Sequence, residues 1–340
     1  MSRVKRINLA LQGGGAHGAF TWGVLDRLLE DERVEVAAIS GTSAGALNGA
    51  AFKAGWISGG RDGAKAQLDW LWGRMGAVQD LRMPGWMTSG LALPGAVSSA
   101  LEMSPGYMLA DTASRMVSPY AYGPLYTNPL HPIVSAFEYE KVCAQGGPAF
   151  FVCATNVHDG KIRVFSGEEI STEAILASAC LPTLFQAVEI DGQHYWDGGY
   201  TGNPALFPLF DPDLPDDLVV VNINPLERRD VPRSAQEIQN RINEISFNSS
   251  LLRELRAIRF AQRLLNSGAL EAGAMKHVLV HMIADDALMR ELSVATKLIP
   301  TPYTLGLLKE AGRAACSGFL DAHFDDIGRE SSVDIEAMFG

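Results

Sequence analysis

Few cysteines and no long apolar run characterise this 340-residue chain. None of its cysteines forms a C-x-x-C pair, and the four are Cys143, Cys153, Cys180 and Cys316. Because so few, irregularly spaced cysteines give no disulfide framework, a reducing, cytoplasmic compartment is predicted. No stretch reaches the roughly 18 consecutive apolar residues of a transmembrane helix, and the early apolar run at residues 7–11 ends too soon for a signal peptide. At most, the protein is expected to touch a membrane from one side.

Positive charge is also scarce. The chain has 28 Lys and Arg against 39 Asp and Glu, which gives a formal net charge of −11 at pH 7. Because such a field repels phosphate backbones, nucleic acid is not an expected partner. The same field opposes capture by anionic lipid, so any membrane contact is predicted to be apolar and transient. The sequence carries no signal for an oligomeric state.

Alternating strand and helix patterns open the chain. Residues 7–11 and 34–40 have the short, continuous apolar character of buried strands, and residues 16–30 place apolar side chains along one helical face. A small-residue helix, suited to close packing on a sheet, is predicted over residues 43–54. A strand, a helix and a second strand in this order predict a parallel sheet covered by helices on both faces.

Further strands are predicted over residues 150–155, 162–165, 187–190, 219–223 and 278–283. The pair Asp191-Gly192 predicts a hairpin turn. One long amphipathic helix is predicted between the last two strands, with an apolar stripe that we expect to be core: Ile238, Ile242, Ile245, Leu252, Leu255 and Ile258. A last helix is predicted over residues 303–324. Residues 211–340 are therefore expected to extend the same sheet as part of the same domain.

Residues 76–132 have a different composition, dense in glycine, proline, methionine and aromatic residues. This composition disfavours long regular elements, yet it is too apolar for a solvated linker. Two roles stay open for the segment. It is either an irregular layer packed on the core, or a lid or wall over an apolar substrate site in which Trp86 and Met87 contact an acyl chain.

The motif Gly41-Thr42-Ser43-Ala44-Gly45 matches G-x-S-x-G. The string alone is weak, but it follows a predicted strand and opens a predicted helix, which is the setting of a nucleophile elbow. There, Gly41 and Gly45 remove side chains that would clash, and a helix N-terminus favours negative charge developing near Ser43. Ser43 is the candidate nucleophile. A small-residue turn with a capping serine is the structural alternative.

A second glycine cluster, Gly13-Gly14-Gly15-Ala16-His17-Gly18, also joins a strand to a helix. It fits G-x-G-x-x-G, yet the acidic residue that a dinucleotide site needs about 20 positions later is missing. A P-loop is excluded because no Lys-Ser or Lys-Thr pair follows. Since this loop and Ser43 lie at the same edge of a parallel sheet, the backbone N–H groups of the loop predict an oxyanion hole.

A nucleophilic serine needs a base. Asp197 lies between aromatic residues and glycines in Tyr195-Trp196-Asp197-Gly198-Gly199, although Asp-Gly-Gly taken alone is more often a turn. Three downstream histidines keep a Ser, Asp, His order open, namely His277, His281 and His323. His281 alternates within an apolar strand and is more simply a core residue.

These three motifs, in residues 13–18, 41–45 and 197–199, resemble those of the patatin-like phospholipase family, as do residues 177–182. The resemblance covers residues 5–210. It implies an α/β/α hydrolase with a Ser-Asp dyad, no catalytic histidine and no metal or cofactor. Ser43 would be the nucleophile and Asp197 the base, with oxyanion donors from Gly13, Gly14 and Gly15. Because His17 stands where the family usually has Arg or Lys, it would tune the oxyanion hole through a pH-dependent charge.

The resemblance implies cleavage of lipid-like carboxylic esters, as a phospholipase A, a lysophospholipase or an esterase. Two alternatives stay open: an acyltransferase that uses the same serine, and a lipid-binding regulatory protein with a vestigial site. The domain prediction is a catalytic core over residues 5–210, with the irregular insertion at residues 76–132, and an extension over residues 211–340.

Overall fold

A central sheet organises the molecule in the computed structural model, which describes residues 4–77, 94–105, 117–228, 231–233, 235–271 and 273–339. Its eight strands are β1 (Lys5–Leu11), β2 (Val34–Thr42), β3 (Ala149–Asn156), β4 (Ile162–Ser166), β5 (Val188–Ile190), β6 (Gln193–Asp197), β7 (Asp217–Asn222) and β8 (Leu279–Ala284). Their order is β5-β6-β3-β2-β1-β7-β8, and β4 pairs with β3. The pairs among β3, β2, β1, β7 and β8 are parallel, and those that involve β4, β5 or β6 are antiparallel. The predicted, mainly parallel sheet is confirmed.

Helices cover both faces of this sheet. In the described residues they are α1 (Gly18–Leu28), α2 (Ala44–Ala77), α3 (Pro94–Glu102), α4 (His131–Val134), α5 (Tyr139–Val142), α6 (Thr172–Ser178), α7 (Ala235–Asn266), α8 (Asp286–Glu291), α9 (Val294–Leu298) and α10 (Pro302–His323). Leu9 and Leu11 of β1 share a hydrophobic cluster with α1, α2 and α10, whereas Ala10 shares another with Leu251 and Leu255 of α7. Because successive strand residues point to opposite faces, this alternation builds three layers, α/β/α.

Helix α2 extends well beyond the predicted residues 43–54. It continues for 34 residues and is bent at Gly59 and Gly60, whose dihedral angles are not helical. Gly60 has φ at 61°, which glycine adopts without a steric cost. After the bend, the Trp72 indole Nε1 donates a hydrogen bond of 3.0 Å to Asn48 Oδ1. The second limb of α2 thus returns to the start of the same helix.

Half of the apolar stripe predicted for α7 is exposed, contrary to the expectation of a continuous core face. Ile238, Ile242 and Ile245 are 44%, 53% and 54% exposed, whereas Leu255 and Ile258 are buried. The buried residues belong to the C-terminal half of the helix, which packs on strands β7 and β8. The helical period was sufficient to predict the helix, but burial depends on how far the sheet extends beneath it.

The insertion at residues 76–132 is described in part. Helix α3 and a 3₁₀ segment, Pro119–Leu125, form short regular pieces. Val97 and Leu101 of α3 pack on Ala295 and Ile299, at helix α9. Trp86 and Met87, predicted to contact an acyl chain, lie outside the described residues. The role of the insertion as a lid stays a prediction.

The chain beyond residue 210 continues the same sheet. Strand β7 pairs with β1, and β8 pairs with β7. Helix α10 crosses α1 so closely that a Cβ on Gly312 would lie 2.0 Å from the carbonyl oxygen of Phe20. The division into a core over residues 5–210 and an extension over residues 211–340 stays a prediction. Among the described helices, none has both the length and the apolar character needed to cross a bilayer.

Candidate active site

Ser43 occupies the sharp turn between β2 and α2. Its φ is 54°, in the left-handed region that costs a residue with a Cβ on the order of 1–3 kcal/mol. The Ser43 N–H donates a 2.9 Å hydrogen bond to Ser178 Oγ of α6, which holds the turn from the side. Ser43 is 9% exposed, so its side chain lies at the edge of the core. This is the geometry of a nucleophile elbow.

Close backbone contacts explain the two glycines that flank Ser43. A Cβ on Gly41 would lie 2.5 Å from the carbonyl oxygen of Gly45, and a Cβ on Gly45 would lie 2.1 Å from that of Leu11. Real Cβ atoms do not approach backbone oxygens this closely. The glycines therefore let the start of α2 sit directly on the ends of β1 and β2.

Asp197 meets Ser43 because β6 pairs with β3, the neighbour of β2. In the register, Thr42 is opposite Cys153, and Asp197 is opposite the next residue, Ala154. The Asp197 carboxylate accepts a 2.7 Å hydrogen bond from the Gly199 N–H, and the Ser43 side chain lies close enough to it to lower the pKa of the carboxyl group. Sequence reasoning thus singled out two distant residues that the sheet brings together.

The environment of Asp197 gives its carboxyl group unusual proton affinity. The residue is 2% exposed. Burial raises the pKa of Asp197 to about 7, although the hydrogen bond from Gly199 and the nearby Ser43 side chain act in the opposite direction. A carboxyl group with a raised pKa accepts a proton far more readily than an exposed aspartate does.

Hydroxyl groups of β2 fix the loop that follows Asp197. Ser40 Oγ donates to the carbonyl oxygen of Ala205 over 2.6 Å, and Thr42 Oγ1 donates to that of Gly202 over 2.7 Å. A Cβ on Gly198 would lie 2.2 Å from the carbonyl oxygen of Cys153. The loop is therefore pressed onto β2 and β3, which sets the distance between the carboxylate and the elbow.

The glycine loop after β1 runs beside Ser43, the candidate nucleophile. A Cβ on Gly13 would lie 2.7 Å from the Cβ of Ser43. The Gly13 N–H donates a 2.7 Å hydrogen bond to Asn203 Oδ1, and the Gly13 carbonyl oxygen accepts a 2.8 Å hydrogen bond from Asn224 Nδ2. The Gly13 N–H is therefore already engaged within the protein, and the predicted oxyanion-hole role of Gly13, Gly14 and Gly15 stays a prediction.

Gly14 and Gly15 have the N–H groups that remain. Within the described residues, neither N–H donates a hydrogen bond to the protein. Gly15 has φ at 58°, and a Cβ there would lie 2.4 Å from the carbonyl oxygen of Lys297 in α9. These two N–H groups directly follow Gly13, which lies beside Ser43, so they are the loop donors that remain available for the predicted oxyanion hole.

His17 is buried beneath the glycine loop. One ring nitrogen, Nε2, is 2.8 Å from Thr296 Oγ1, and Nδ1 has no partner among the described residues. Burial lowers the pKa of His17 well below its usual value, and the charges of Lys297 and Arg228 act in the same direction. Burial therefore favours the neutral form of the ring, and a pH-dependent charge of His17 stays a prediction.

The three downstream histidines lie away from the Ser43 and Asp197 side chains. His281 of β8 is fully buried, with Nε2 3.0 Å from Asp217 Oδ1 and Nδ1 3.1 Å from Ser332 Oγ. His323 contacts Asp326, and His277 is exposed. His281 is thus the satisfied core histidine that the alternating strand pattern favoured.

Several supporting residues escaped sequence analysis, namely Gln12, Ser40, Thr42, Ser178, Asn203, Asn224 and Lys297. Of these, Thr42 and Ser178 lay in segments that resembled family motifs. The others act through hydrogen bonds to residues distant in the sequence, for which a sequence has no pattern. In the described part of the chain, no group of three or more His, Cys, Asp or Glu side chains is arranged to hold a metal ion.

Fold and site together are those of the serine acyl hydrolases, with a serine elbow, a buried carboxylate and a glycine loop on one edge of a sheet. Residues 9–210 match the family model described as Patatin-like phospholipase. The chain therefore belongs to the patatin-like phospholipase family, a family of lipid acyl hydrolases. No curated protein matches the chain at a significant level.

The solved structures that match this chain are distant from it in sequence. VipD from Legionella pneumophila is 15% identical, with a TM-score of 0.43 over 94% of this chain and 67% of its own. The type III effector protein ExoU is 16% identical, with a TM-score of 0.34 over 94% of this chain. This chain spans 54% of the length of that ExoU chain.

Proposed function

We propose that this chain hydrolyses carboxylic esters of lipids, as a phospholipase A, a lysophospholipase or an esterase, through a dyad of Ser43 and Asp197. One observation carries the proposal. A serine held in a left-handed turn has its side chain beside a buried carboxylate whose pKa burial raises to about 7. A serine hydroxyl and a base matched to neutral pH are what nucleophilic catalysis requires.

Acylation begins when Ser43 Oγ attacks the carbonyl carbon of the ester. The hydroxyl proton passes to the Asp197 carboxylate as the new C–O bond forms, and the carbonyl oxygen becomes an oxyanion. When this intermediate collapses, the bond to the alcohol breaks, and the departing alkoxide takes the proton back from Asp197. An acyl-serine ester and a free alcohol, such as a lysophospholipid, result.

Deacylation reverses the roles with water as the nucleophile. Asp197 accepts a proton from water as the water oxygen attacks the acyl-serine carbonyl. The second oxyanion collapses, Ser43 Oγ leaves and regains the proton from Asp197, and a fatty acid is released. In both half-reactions, the N–H groups of Gly14 and Gly15 would bind the oxyanion. One donor of this kind typically accounts for about 10²–10³ in rate.

An open cleft with a partly apolar lining is the candidate binding place for a lipid-like acyl group. It has a volume of about 710 Å³, and its lining includes Trp22, Trp72 and Leu305 together with the ion pair of Lys309 and Asp69. Trp72 also lies near the turn at Ser43. A Cβ built on Gly18 would lie 3.2 Å from two ring carbons of Trp72 and 2.6 Å from the Cβ of Ala44, the residue after Ser43. An acyl chain attached to Ser43 could therefore extend toward apolar surface. Four unpaired cysteines agree with a cytoplasmic site of action.

A fluorophosphonate probe and a lipid panel test this function. The wild-type protein should be labelled at Ser43 and should release free fatty acid from phospholipid, lysophospholipid or short esters without any added acceptor. Ser43→Ala should abolish both, while Ser249→Ala, which removes a hydroxyl from the partly exposed side of α7, should leave both unchanged. Absence of labelling in the folded wild-type protein would contradict the proposal. Acyl transfer only in the presence of an alcohol acceptor would identify a transferase.

A further inference from the structure

Lys297 is a cation of helix α9 that packs against the glycine loop. The carbonyl oxygen of Lys297 lies where a Cβ of Gly15 would otherwise be, so the helix and the loop are in direct contact. The side chain is partly buried, and Nζ donates a 3.0 Å hydrogen bond to Asn224 Oδ1. The dyad mechanism makes no use of this ammonium group, which leaves its position unexplained.

Asn224 connects Lys297 to the glycine loop. Its Nδ2 donates to the carbonyl oxygen of Gly13 over 2.8 Å, and also to Gln12 Oε1 over 3.2 Å. An ammonium group can only donate, and a backbone carbonyl can only accept. The carboxamide of Asn224 is therefore held in one orientation, with oxygen toward Lys297 and nitrogen toward Gly13.

The peptide between Gly13 and Gly14 extends this chain of hydrogen bonds toward the nucleophile. In a trans peptide the C=O and the following N–H point in opposite directions. Because the Gly13 carbonyl oxygen points at Asn224, the Gly14 N–H points away from Asn224. This loop lies beside Ser43, since a Cβ built on Gly13 would lie 2.7 Å from the Cβ of Ser43.

The two hydrogen bonds in this series, from Lys297 to Asn224 and from Asn224 to Gly13, polarise the groups they connect in the same direction. Donation from Lys297 to Asn224 Oδ1 makes Nδ2–H a stronger donor, and donation from Nδ2 to the Gly13 carbonyl makes the Gly14 N–H a stronger donor. We propose that Lys297 is a positioning residue for the oxyanion hole: its charge, transmitted through Asn224 and the Gly13-Gly14 peptide, orients and strengthens the Gly14 N–H. This inference rests on the proposed hydrolase activity.

The ammonium group of Lys297 is not engaged by the carboxylate nearest to it, because that carboxylate is paired with arginines. Glu244 is the nearby carboxylate, and it is held by two hydrogen bonds from Arg228, 2.8 and 2.7 Å, and one from Arg241, 3.3 Å. Among the described residues, Lys297 Nζ forms no direct ion pair. Burial lowers the pKa of Lys297 and the charge of Arg228 acts in the same direction, whereas Glu244 counteracts the decrease.

The decisive variant is Lys297→Met, which keeps the length of the side chain and removes the charge. On p-nitrophenyl butyrate, which has no phosphate, we expect kcat to fall about tenfold with KM nearly unchanged, because a donor is weakened rather than removed. The same loss is expected on a phospholipid. Lys53→Met is the matched control, since Lys53 is a buried lysine that donates to the carbonyl oxygens of Gly146 and Pro148. Its kcat should equal that of wild type.

Two further measurements separate transmission of charge from a structural role. Lys297→Cys followed by aminoethylation, which restores an ammonium group, should recover most of the lost kcat, whereas the same treatment should not raise that of Lys297→Met. In a double-mutant cycle, adding Lys297→Met to Asn224→Leu should lower kcat little further, because Asn224→Leu already removes the hydrogen bond that connects Lys297 to the glycine loop.

Three outcomes would overturn the proposal while leaving the hydrolase intact. These are an unchanged kcat in Lys297→Met, additive losses in the cycle with Asn224→Leu, or a loss confined to KM for phosphate-bearing substrates. The last would instead make Lys297 a headgroup ligand. Failure of the proposed function is distinguishable, because then the wild-type protein itself would neither be labelled nor turn over ester.

Discussion

The site combines residues from two regions of the chain. The roles of residues in one region can be predicted from sequence motifs, and those in the other cannot. The groups that would react, Ser43, Asp197 and the glycine loop, lie within the residues 9–210 that match the family model. Asn224 and Lys297, which hold the glycine loop, come from beyond residue 210. Reacting groups need strained turns and close backbone contacts, which force recognisable local patterns. A supporting residue needs only one hydrogen bond, and Asn224 makes its bond to Gly13 across 211 residues.

Asp197→Asn should cause the largest loss among the changes within the matched region. The amide cannot accept the Ser43 proton, so kcat/KM should fall by about 10³ or more, because members of a catalytic unit fail together. His281→Gln and His323→Gln should remain within a few-fold of wild type wherever they fold. Ester hydrolysis by purified variants measures this. A well-folded histidine variant as damaged as Asp197→Asn would indicate a triad instead of a dyad.

Thermal unfolding of the same Asp197→Asn variant provides a stability control. The folded-state pKa of Asp197 is raised to about 7, so the folded protein binds the proton more tightly than the unfolded chain does. Stability contributed by this carboxyl is therefore present at acid pH and is lost as the pH rises through about 7. Asn carries no such penalty. The variant should have a Tm at pH 8 equal to or above that of wild type, and a lower Tm would mean that its inactivity reflects misfolding.

Gly13→Ala is expected to have the next largest effect. Its Cβ would lie 2.7 Å from the Cβ of Ser43 and 2.9 Å from the carbonyl oxygen of Thr42, so the loop must move away from the nucleophile. A misplaced oxyanion donor should cost about 10² in kcat. Gly318→Ala, in open space on α10, is the matched control and should retain full activity. Normal kcat in Gly13→Ala would show that the loop is not held against Ser43.

Ser178→Ala should have a smaller effect, because Ser178 supports the elbow without touching substrate. Its Oγ accepts the Ser43 N–H, and removing it leaves that N–H unpaired in the core. We expect kcat to fall about tenfold as the left-handed turn relaxes. Ser58→Ala, which removes a hydroxyl bonded to its own helix, serves as the control. Rates of fluorophosphonate labelling would report the same order of effects, and equal rates would contradict the support role.

His17→Gln should have the smallest effect. Burial favours the neutral form of the ring, so a neutral amide that can still bond Thr296 should keep kcat within about twofold and leave its pH dependence unchanged. The pH profile of the purified variant measures this. A shifted profile would mean that His17 does carry charge in the active enzyme and would weaken the distinction between reacting and supporting groups.

Local patterns were sufficient to predict most strands, the elbow and the hairpin at Asp191-Gly192, where φ is 51° and 74°. Local patterns did not predict features that depend on contacts between distant residues. Helix α2 returns to its own start through the bend at Gly59 and Gly60 and the contact of Trp72 with Asn48. Ile238 of α7 is exposed although it keeps the helical period of the buried residues. The engagement of the Gly13 N–H depends on Asn203, which lies 190 residues away.

The pH dependence of kcat/KM on an uncharged ester tests the dyad most directly. If Asp197 is the base, kcat/KM should rise tenfold per pH unit below about 7 and level off above it, since the base must be ionised in the free enzyme. The same profile should persist in His281→Gln and His17→Gln. A midpoint near 4, the value of an ordinary aspartate, or a limb that disappears when a histidine is replaced, would contradict the account.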